Sequence, residues 1–372
     1  MTGNEDVLFW RGRNFCEKYN IDCKAGEKIV QVMPEEKKLK TENNEIVDFD
    51  YLVIASGSSL YAPVKGSDKK GIYNFNTLSG ADEIRKIASE NQSTGGGMLD
   101  RLKRLIGKES KCKTAVIVGG GFIGVEIALC LAKIGINPTL LSRRGWIIPR
   151  LLDKEAAEYV ENDLRAKGVE VLLNTEGDEF VGKEYVESLL TTDGKEIKGD
   201  IYITATGIKS NIDFIKDTDI EYDQGIIVNE KLQTRYPYIY ACGDVAETVD
   251  LISEQRKIHG LYPVAIDHAK TAAYNILGRE SEYQRQINMN SLKGLSLKII
   301  AAGRHEGEEI KCKGENVLRK IYVKDNKITG FVLLGDISNS GVYLSLLRKK
   351  VDISNFKDQL LSKHFNPGFL AA

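Results

Sequence analysis

Short apolar runs bounded by glycine or polar turns recur along this chain, and between them lie stretches with apolar residues every three or four positions. The first rhythm predicts strands and the second predicts amphipathic helices. Ala115 to Val118 suits a buried parallel strand. Ile123, Ile127, Leu131 and Ile134 follow at helical spacing, and Pro138 to Leu141 restores a strand. Before this stretch, Asn14 to Tyr19 predicts a short helix. Lys28 to Val32, Lys38 to Thr41 and Glu45 to Asp48 predict strands joined by polar turns, with Glu42-Asn43-Asn44 as a hairpin connection. Tyr51 to Ala55 is a buried strand and Ala81 to Glu90 a helix.

Beyond it, Asp153 to Lys167 predicts a helix and Val169 to Asn174 a strand. Tyr185 to Thr191, Glu196 to Thr204, Gly225 to Val228 and Tyr238 to Asp244 read as further strands. Tyr262 to Leu277 is a long helix with small residues at Ala265, Ala269, Ala272 and Ala273. From about Ser281 the rhythm changes. Leu292 to Ala302 and Val317 to Leu334 read as antiparallel strands with a turn at Asp325-Asn326, and Gly341 to Arg348 and Phe356 to Leu361 close as helices. Ser93 to Gly97 reads as flexible, and Met98 to Ile106 as a solvated linker helix, with a basic surface helix or a partner-binding insert as the alternative. No repeat of solenoid period is present.

The centre of this pattern carries chemistry. Gly119, Gly121 and Gly124 spell G-x-G-x-x-G where the strand must stop and the helix begin. In a dinucleotide-binding βαβ unit the first glycine allows the tight turn. The second lets the backbone approach a pyrophosphate, and the third lets helix and strand pack closely. The helix start offers N–H groups and a positive dipole end to the phosphates. At the end of the second strand, a carboxylate would accept from the ribose 2′-OH of NAD. This chain has Ser142, Arg143 and Arg144 there, which suit a 2′-phosphate. NADP is therefore expected over NAD.

Composition narrows the class. The 372 residues are enough for two or three domains. Hydrophobic content is 42% and charged content 28%, ordinary for a globular chain. A net charge of −1 gives no electrostatic case for a nucleic-acid or anionic-membrane partner. Ala115 to Ile136 is long and apolar, but Glu126, Lys133 and consecutive glycines argue against a membrane span. The first residues, MTGNEDVLFWRGR, lack the apolar core of a secretory signal, so a cytoplasmic location is expected. The cysteines, Cys16, Cys23, Cys112, Cys130, Cys242 and Cys312, show no C-x-x-C or metal-type spacing. All are expected to be reduced, with Cys16 and Cys23 too loosely spaced for a dithiol motif.

Four phrases occur in fixed order: Ala55-Ser56-Gly57, Gly119 to Gly124, Ala205-Thr206-Gly207 and Tyr240 to Asp244. With Phe49 to Ile54, Gly207 to Asn211 and Thr271 to Asn275, they resemble the pyridine nucleotide-disulfide oxidoreductases. The likeness is greatest to NADH:rubredoxin oxidoreductases and related flavin-domain reductases. It covers nearly the whole chain. The resemblance implies an α/β fold of two Rossmann-like three-layer nucleotide-binding domains, one inserted in the other, plus a small α+β C-terminal domain. It implies an FAD domain of residues 1–111 and 209–280, an NAD(P) domain of 112–208 and a C-terminal domain of 281–372.

The roles carried over follow the motifs. Asp244 would bond the flavin ribitol, with Gly243 allowing close approach. Ala55, Ser56 and Gly57 would cross near the FAD. Phe122 and Ile123 lie within the dinucleotide fingerprint. Gly207 would lie near the nicotinamide nucleotide, and Glu126 would face the nicotinamide end. The implied activity is hydride transfer from NAD(P)H to FAD, then electron delivery to a small redox protein such as rubredoxin, or to a small-molecule acceptor. A redox-disulfide route is not expected without a C-x-x-C or C-x-x-x-x-C pair. The implied assembly is a monomer or homodimer.

The sequence departs from the family at its front, where no G-x-G-x-x-G precedes Ala55. Three explanations stand open: an incomplete reading of a longer protein, a separate polypeptide supplying the missing βαβ, or loss of tight FAD binding. The alternative function is accordingly a non-catalytic NADP(H)-binding subunit, or a truncated flavoprotein without its own FAD.

Overall fold

A computed structural model describes residues 9, 11–73, 80, 83–84, 114–287, 289–292, 294–362 and 365. The predicted linker helix at Met98 to Ile106, the flexible stretch before it, most of the helix predicted at Ala81 to Glu90, and Cys112 lie outside these residues. The chain divides into two compact units. One comprises Met1–Ser58, Ser210–Thr248 and Arg256–Gln284, and the other Ser59–Lys209, Val249–Gln255 and Arg285–Ala372.

In the second unit, five parallel strands lie in the order Ile72–Tyr73, Ile201–Thr204, Thr114–Val118, Asn137–Ser142 and Glu170–Leu173. Val118 pairs with Leu141 on one side and with Thr204 on the other. Ala115, Val116, Ile117 and Val118 are all buried, as a central parallel strand requires. The helix Phe122–Lys133 returns against the sheet and buries Val125, Ile127, Ala128, Leu129 and Leu131. The expected stripe is shifted at its start. Ile123 is 49% exposed, because the buried face of the first turn is formed by Gly124 and Val125 instead.

The helix Lys154–Ala166 is strongly amphipathic, with Ala156, Ala157, Val160 and Leu164 buried. Asp153 caps it by accepting the Ala156 N–H at 2.8 Å. The segment predicted as a single strand from Glu196 to Thr204 is broken. Glu196–Ile197 completes an antiparallel sheet with Ser188–Thr191 and Gly177–Val181, while Ile201–Thr204 enters the parallel sheet. Between them the Asp200 carboxylate accepts from the Thr114 N–H and hydroxyl, both at 2.9 Å, which turns the chain.

The same unit contains a five-stranded antiparallel sheet in the order Met289–Leu292, Ile299–Gly303, Lys327–Leu334, Leu318–Lys324 and Glu308–Lys313. Its Asp325-Asn326 turn has φ +50° and +55°, the left-handed pair that a tight hairpin requires. The helix Ser340–Arg348 buries Tyr343, Leu346 and Leu347 on this sheet. The helix expected at Phe356 to Leu361 is a single 3₁₀ turn, Lys357–Gln359. So short a segment gains too few hydrogen bonds to nucleate an α-helix.

In the first unit, Ile29–Met33, Lys38–Thr41 and Ile46–Asp48 form an antiparallel meander. Leu52–Ile54 pairs in parallel with Ile239–Ala241. The helix Tyr262–Ile276 packs Val264, His268, Thr271 and Ala272 inward. One expectation is corrected here: Cys16 and Cys23 are joined by a disulfide. The chain doubles back after the short helix Phe15–Lys18, with the Ile21 N–H donating to the Cys16 carbonyl, and this brings the two Cα atoms to 6.4 Å. Cys130, Cys242 and Cys312 are free thiols, and burial pushes that of Cys242 up to about 12.

Candidate functional site

Each unit gathers one set of the motif residues. In the second unit the glycine loop closes on its neighbours. Gly119 has φ +124°, and a Cβ there would stand 2.3 Å from the Ala205 carbonyl oxygen. A Cβ on Gly120 would meet the Ser142 Cβ at 2.5 Å, and one on Gly124 would meet the Gly119 oxygen at 1.9 Å. These glycines make close approaches that no side chain permits. Gly121 differs: a Cβ there meets nothing within 4 Å among the described residues. Gly121 also occupies the N-cap without a capping side chain, so the helix start is open. Phe122 and Glu126 are half-buried, and Ile123 is exposed.

The segment after the second strand braces this loop. The Ile148 N–H donates to the Gly120 carbonyl at 2.8 Å, from a backbone at φ +52°. A left-handed β-branched residue is costly, so this bond and the burial of Ile148 hold it there. Ser142 is buried, and its hydroxyl serves the chain itself. It donates to the Trp146 carbonyl at 3.2 Å and accepts the Arg144 N–H at 3.3 Å. Arg143 and Arg144 are exposed, with the Arg143 guanidinium 3.8 Å from the Glu176 carboxylate. Gly207 has φ +139° with open space where a Cβ would be, and its carbonyl accepts the Tyr61 N–H at 2.9 Å.

In the first unit, residues far apart in sequence meet. Ser56 and Asn211 exchange two hydrogen bonds, each 2.8 Å, between the side chain of one and the carbonyl of the other. The Asn211 N–H also donates to the Gly57 carbonyl. The Ser58 hydroxyl donates to the Asp244 carboxylate at 3.1 Å, and the Ser210 hydroxyl to the Asp244 carbonyl at 2.7 Å. Asp244 sits half-buried in the 3₁₀ turn Gly243–Val245, entered by Gly243 at φ +74°. Ala55 is exposed, and at Gly57, φ +65°, a Cβ would meet nothing within 4 Å among the described residues. Ser58, next to Gly57, was missed by sequence reasoning, and Ser210 lies within the family phrase Gly207 to Asn211 but was given no role there.

The family model of the pyridine nucleotide-disulphide oxidoreductases matches residues 10–272. The chain belongs to this family. It is 29% identical over 346 residues to a nitrite reductase [NAD(P)H] of Bacillus subtilis, covering 91% of the chain but 40% of that protein. The chain thus spans less than half of that relative's length. It is also 29% identical over 363 residues to an NADH-rubredoxin oxidoreductase of Clostridium acetobutylicum, covering 96% of the chain and 83% of the relative. Among solved structures, an engineered water-forming NADPH oxidase bound to NADPH, made from a Lactobacillus brevis NADH oxidase, superposes with a TM-score of 0.81. Identity to it is 18%, over 99% of this chain and 83% of that one. The α/β architecture with Rossmann-like parallel sheets is therefore that of this oxidoreductase family. Among the described residues no helix is long and apolar enough to cross a membrane, and no cluster of ligating side chains could hold a metal ion.

The two sets of residues fit the family's two cofactor types differently. An open glycine-capped helix start suits a pyrophosphate. A half-buried carboxylate beside two left-handed glycines suits a hydroxyl-bearing ligand that approaches the backbone closely.

Proposed function

We propose that this chain is the nucleotide-binding core of an FAD-dependent NAD(P)H oxidoreductase that passes electrons on to a small redox protein of rubredoxin type, or to another small acceptor. Bound FAD and NADPH would supply the hydride and electron chemistry themselves. The chain's residues bind and orient. Gly121 and the open helix start receive the pyrophosphate, while Gly119, Gly120 and Gly124 keep the loop in shape. Phe122, Ile123, Glu126 and Gly207 line the nucleotide's path. Asp244 accepts from a ribitol hydroxyl, with Gly243, Ala55, Ser56 and Gly57 beside it. In this reading residues 112–208 form the NAD(P) domain, 1–111 with 209–280 the FAD domain, and 281–372 the C-terminal domain.

The observation that carries the reading is a linked set of hydrogen bonds: Ser58 bonds the Asp244 carboxylate, Ser210 bonds the Asp244 carbonyl, and Asn211, next to Ser210, bonds Ser56 and Gly57, so three separate family phrases come together. NADPH is favoured over NADH by the two exposed arginines after the second strand. Because the Ser142 hydroxyl is engaged within the chain, the arginines supply most of the phosphate recognition. The engineered oxidase bound to NADPH offers a parallel: its substitutions replace an aspartate and introduce arginine and serine.

The test is the visible absorption spectrum of the purified protein, with and without added FAD, before and after anaerobic NADPH. A flavin spectrum that bleaches is the expected result. A colourless protein that binds NADPH and takes up no FAD would overturn the flavoenzyme reading in favour of a nucleotide-binding subunit.

A further inference from the structure

The turn that presents Asp244 rests on a histidine from the helix Tyr262–Ile276. His268 is 1% exposed, and its Nδ1 accepts the Gly243 N–H at 3.2 Å. An Nδ1 that accepts carries no proton, so the ring is the neutral tautomer with its proton on Nε2. That Nε2 is buried with no hydrogen-bond partner among the described residues. The ring and that of Tyr283 stand edge to face, with centroids 4.4 Å apart and planes at 79°. Burial, and then the neighbouring His259, hold the His268 pKa down to about 4, so the acceptor form persists at neutral pH.

A residue present only for packing would not carry this arrangement. A buried Nε2–H without a protein partner is a cost that an apolar side chain of similar size avoids. What the imidazole supplies in return is a lone pair at the Gly243 N–H. Gly243 stands at φ +74° and has no side chain to pin it. Its wide conformational freedom has to be restrained from outside. Asp244 is consequently held at three points: Ser58 on its carboxylate, Ser210 on its carbonyl, and His268 on the N–H just before it.

We propose that His268 is a positioning residue for the Asp244 site, its Nδ1 lone pair fixing the Gly243 N–H and so the turn from which the carboxylate meets the flavin ribitol. The proposal rests on the reading of Asp244 as a flavin contact. The experiment compares the wild type with His268→Leu, His268→Asn and Asp244→Ala in the full chain. FAD affinity is read from flavin fluorescence on titration into apoprotein, and Gly243 amide exchange is followed by NMR without FAD. The leucine keeps bulk and removes the acceptor, while the asparagine returns a carbonyl oxygen near the Nδ1 position.

His268→Leu is expected to weaken FAD binding about tenfold and to speed Gly243 exchange by a similar factor. His268→Asn is expected to recover most of both. Asp244→Ala is expected to weaken FAD binding with Gly243 protection intact. FAD binding lost in Asp244→Ala but unchanged in His268→Leu overturns the positioning role alone. FAD binding unchanged in Asp244→Ala overturns the reading of Asp244 and this proposal with it. Where the leucine variant does not fold, the asparagine variant decides. Protection and affinity both retained support the role, and affinity retained with protection lost overturns it.

Discussion

Lys320 and Asp153 meet at 2.5 Å, joining the antiparallel sheet to the N-terminus of the helix Lys154–Ala166. The Lys320 side chain is 3% exposed, and its ammonium also lies 2.7 Å from Glu155 and 3.3 Å from Glu309. The Tyr322 hydroxyl donates to the same Asp153 oxygen at 2.8 Å. Burial alone would lower the Lys320 pKa, but hydrogen bonds to Asp153 and Glu155 outweigh it and hold the group above its ordinary range. One carboxylate thus caps a helix with one oxygen and anchors a buried lysine with the other.

Replacing Lys320 with methionine should destabilise the chain by about 3 kcal/mol, the lower end for breaking a buried pair, because the three carboxylates keep some contact with water. Urea unfolding of the full chain checks this. A loss below about 1 kcal/mol would mean that the lysine contributes little beyond an exposed ion pair.

The same cluster sets an acid limit. Hydrogen bonds from Lys320 and then Lys313 hold Glu155 down to about 2, against an ordinary 4.5. The folded state therefore binds this proton less readily than the unfolded state. The stabilisation is complete above pH 4.5 and is lost as pH falls toward 2. Unfolding midpoints measured from pH 6 downward should fall below about pH 4.5, and less steeply in Glu155→Gln. Equal slopes in both proteins would remove Glu155 from the account.

The glycine loop separates two kinds of failure. Gly124→Ala places a Cβ 1.9 Å from the Gly119 oxygen, so it should unfold or severely destabilise the chain. Gly121→Ala has open space, so its melting temperature should stay near that of the wild type while nucleotide affinity drops about tenfold or more. Thermal melts and NADPH titration distinguish the two. Unchanged affinity in Gly121→Ala would remove that backbone from the phosphate site.

Cofactor choice is tested at the second strand. Arg143→Ala with Arg144→Ala should lower the affinity ratio of NADPH to NADH by about tenfold to a hundredfold, the scale of one charge-assisted hydrogen bond. Paired fluorescence titrations with the two nucleotides measure it. A ratio that does not fall would mean that the arginines are ordinary surface residues.

Local features were legible from the amino-acid order. The glycine spacing, the apolar runs on either side of it and the Asp325-Asn326 turn depend on residues a few positions apart, and the chain folds there as patterning predicts. Family membership was legible too, because ordered short phrases survive at low identity. Where neighbours came from elsewhere, the pattern failed. The strand predicted from Glu196 to Thr204 breaks because Asp200 bonds Thr114, 86 positions away. The Cys16–Cys23 disulfide forms because the chain reverses after its first short helix.

The amino-acid order by itself determined the family, since G-x-G-x-x-G after a strand and the other ordered phrases are read without coordinates. Only the tertiary structure decided how the groups in them are held. Ser58 reaches Asp244 across 186 positions, Ser210 across 34, and His268 supports Gly243 from 25 positions on. A serine or a histidine carries no periodic signal of such a role, because a hydrogen bond depends on where two atoms lie in space and not on how far apart they stand along the chain.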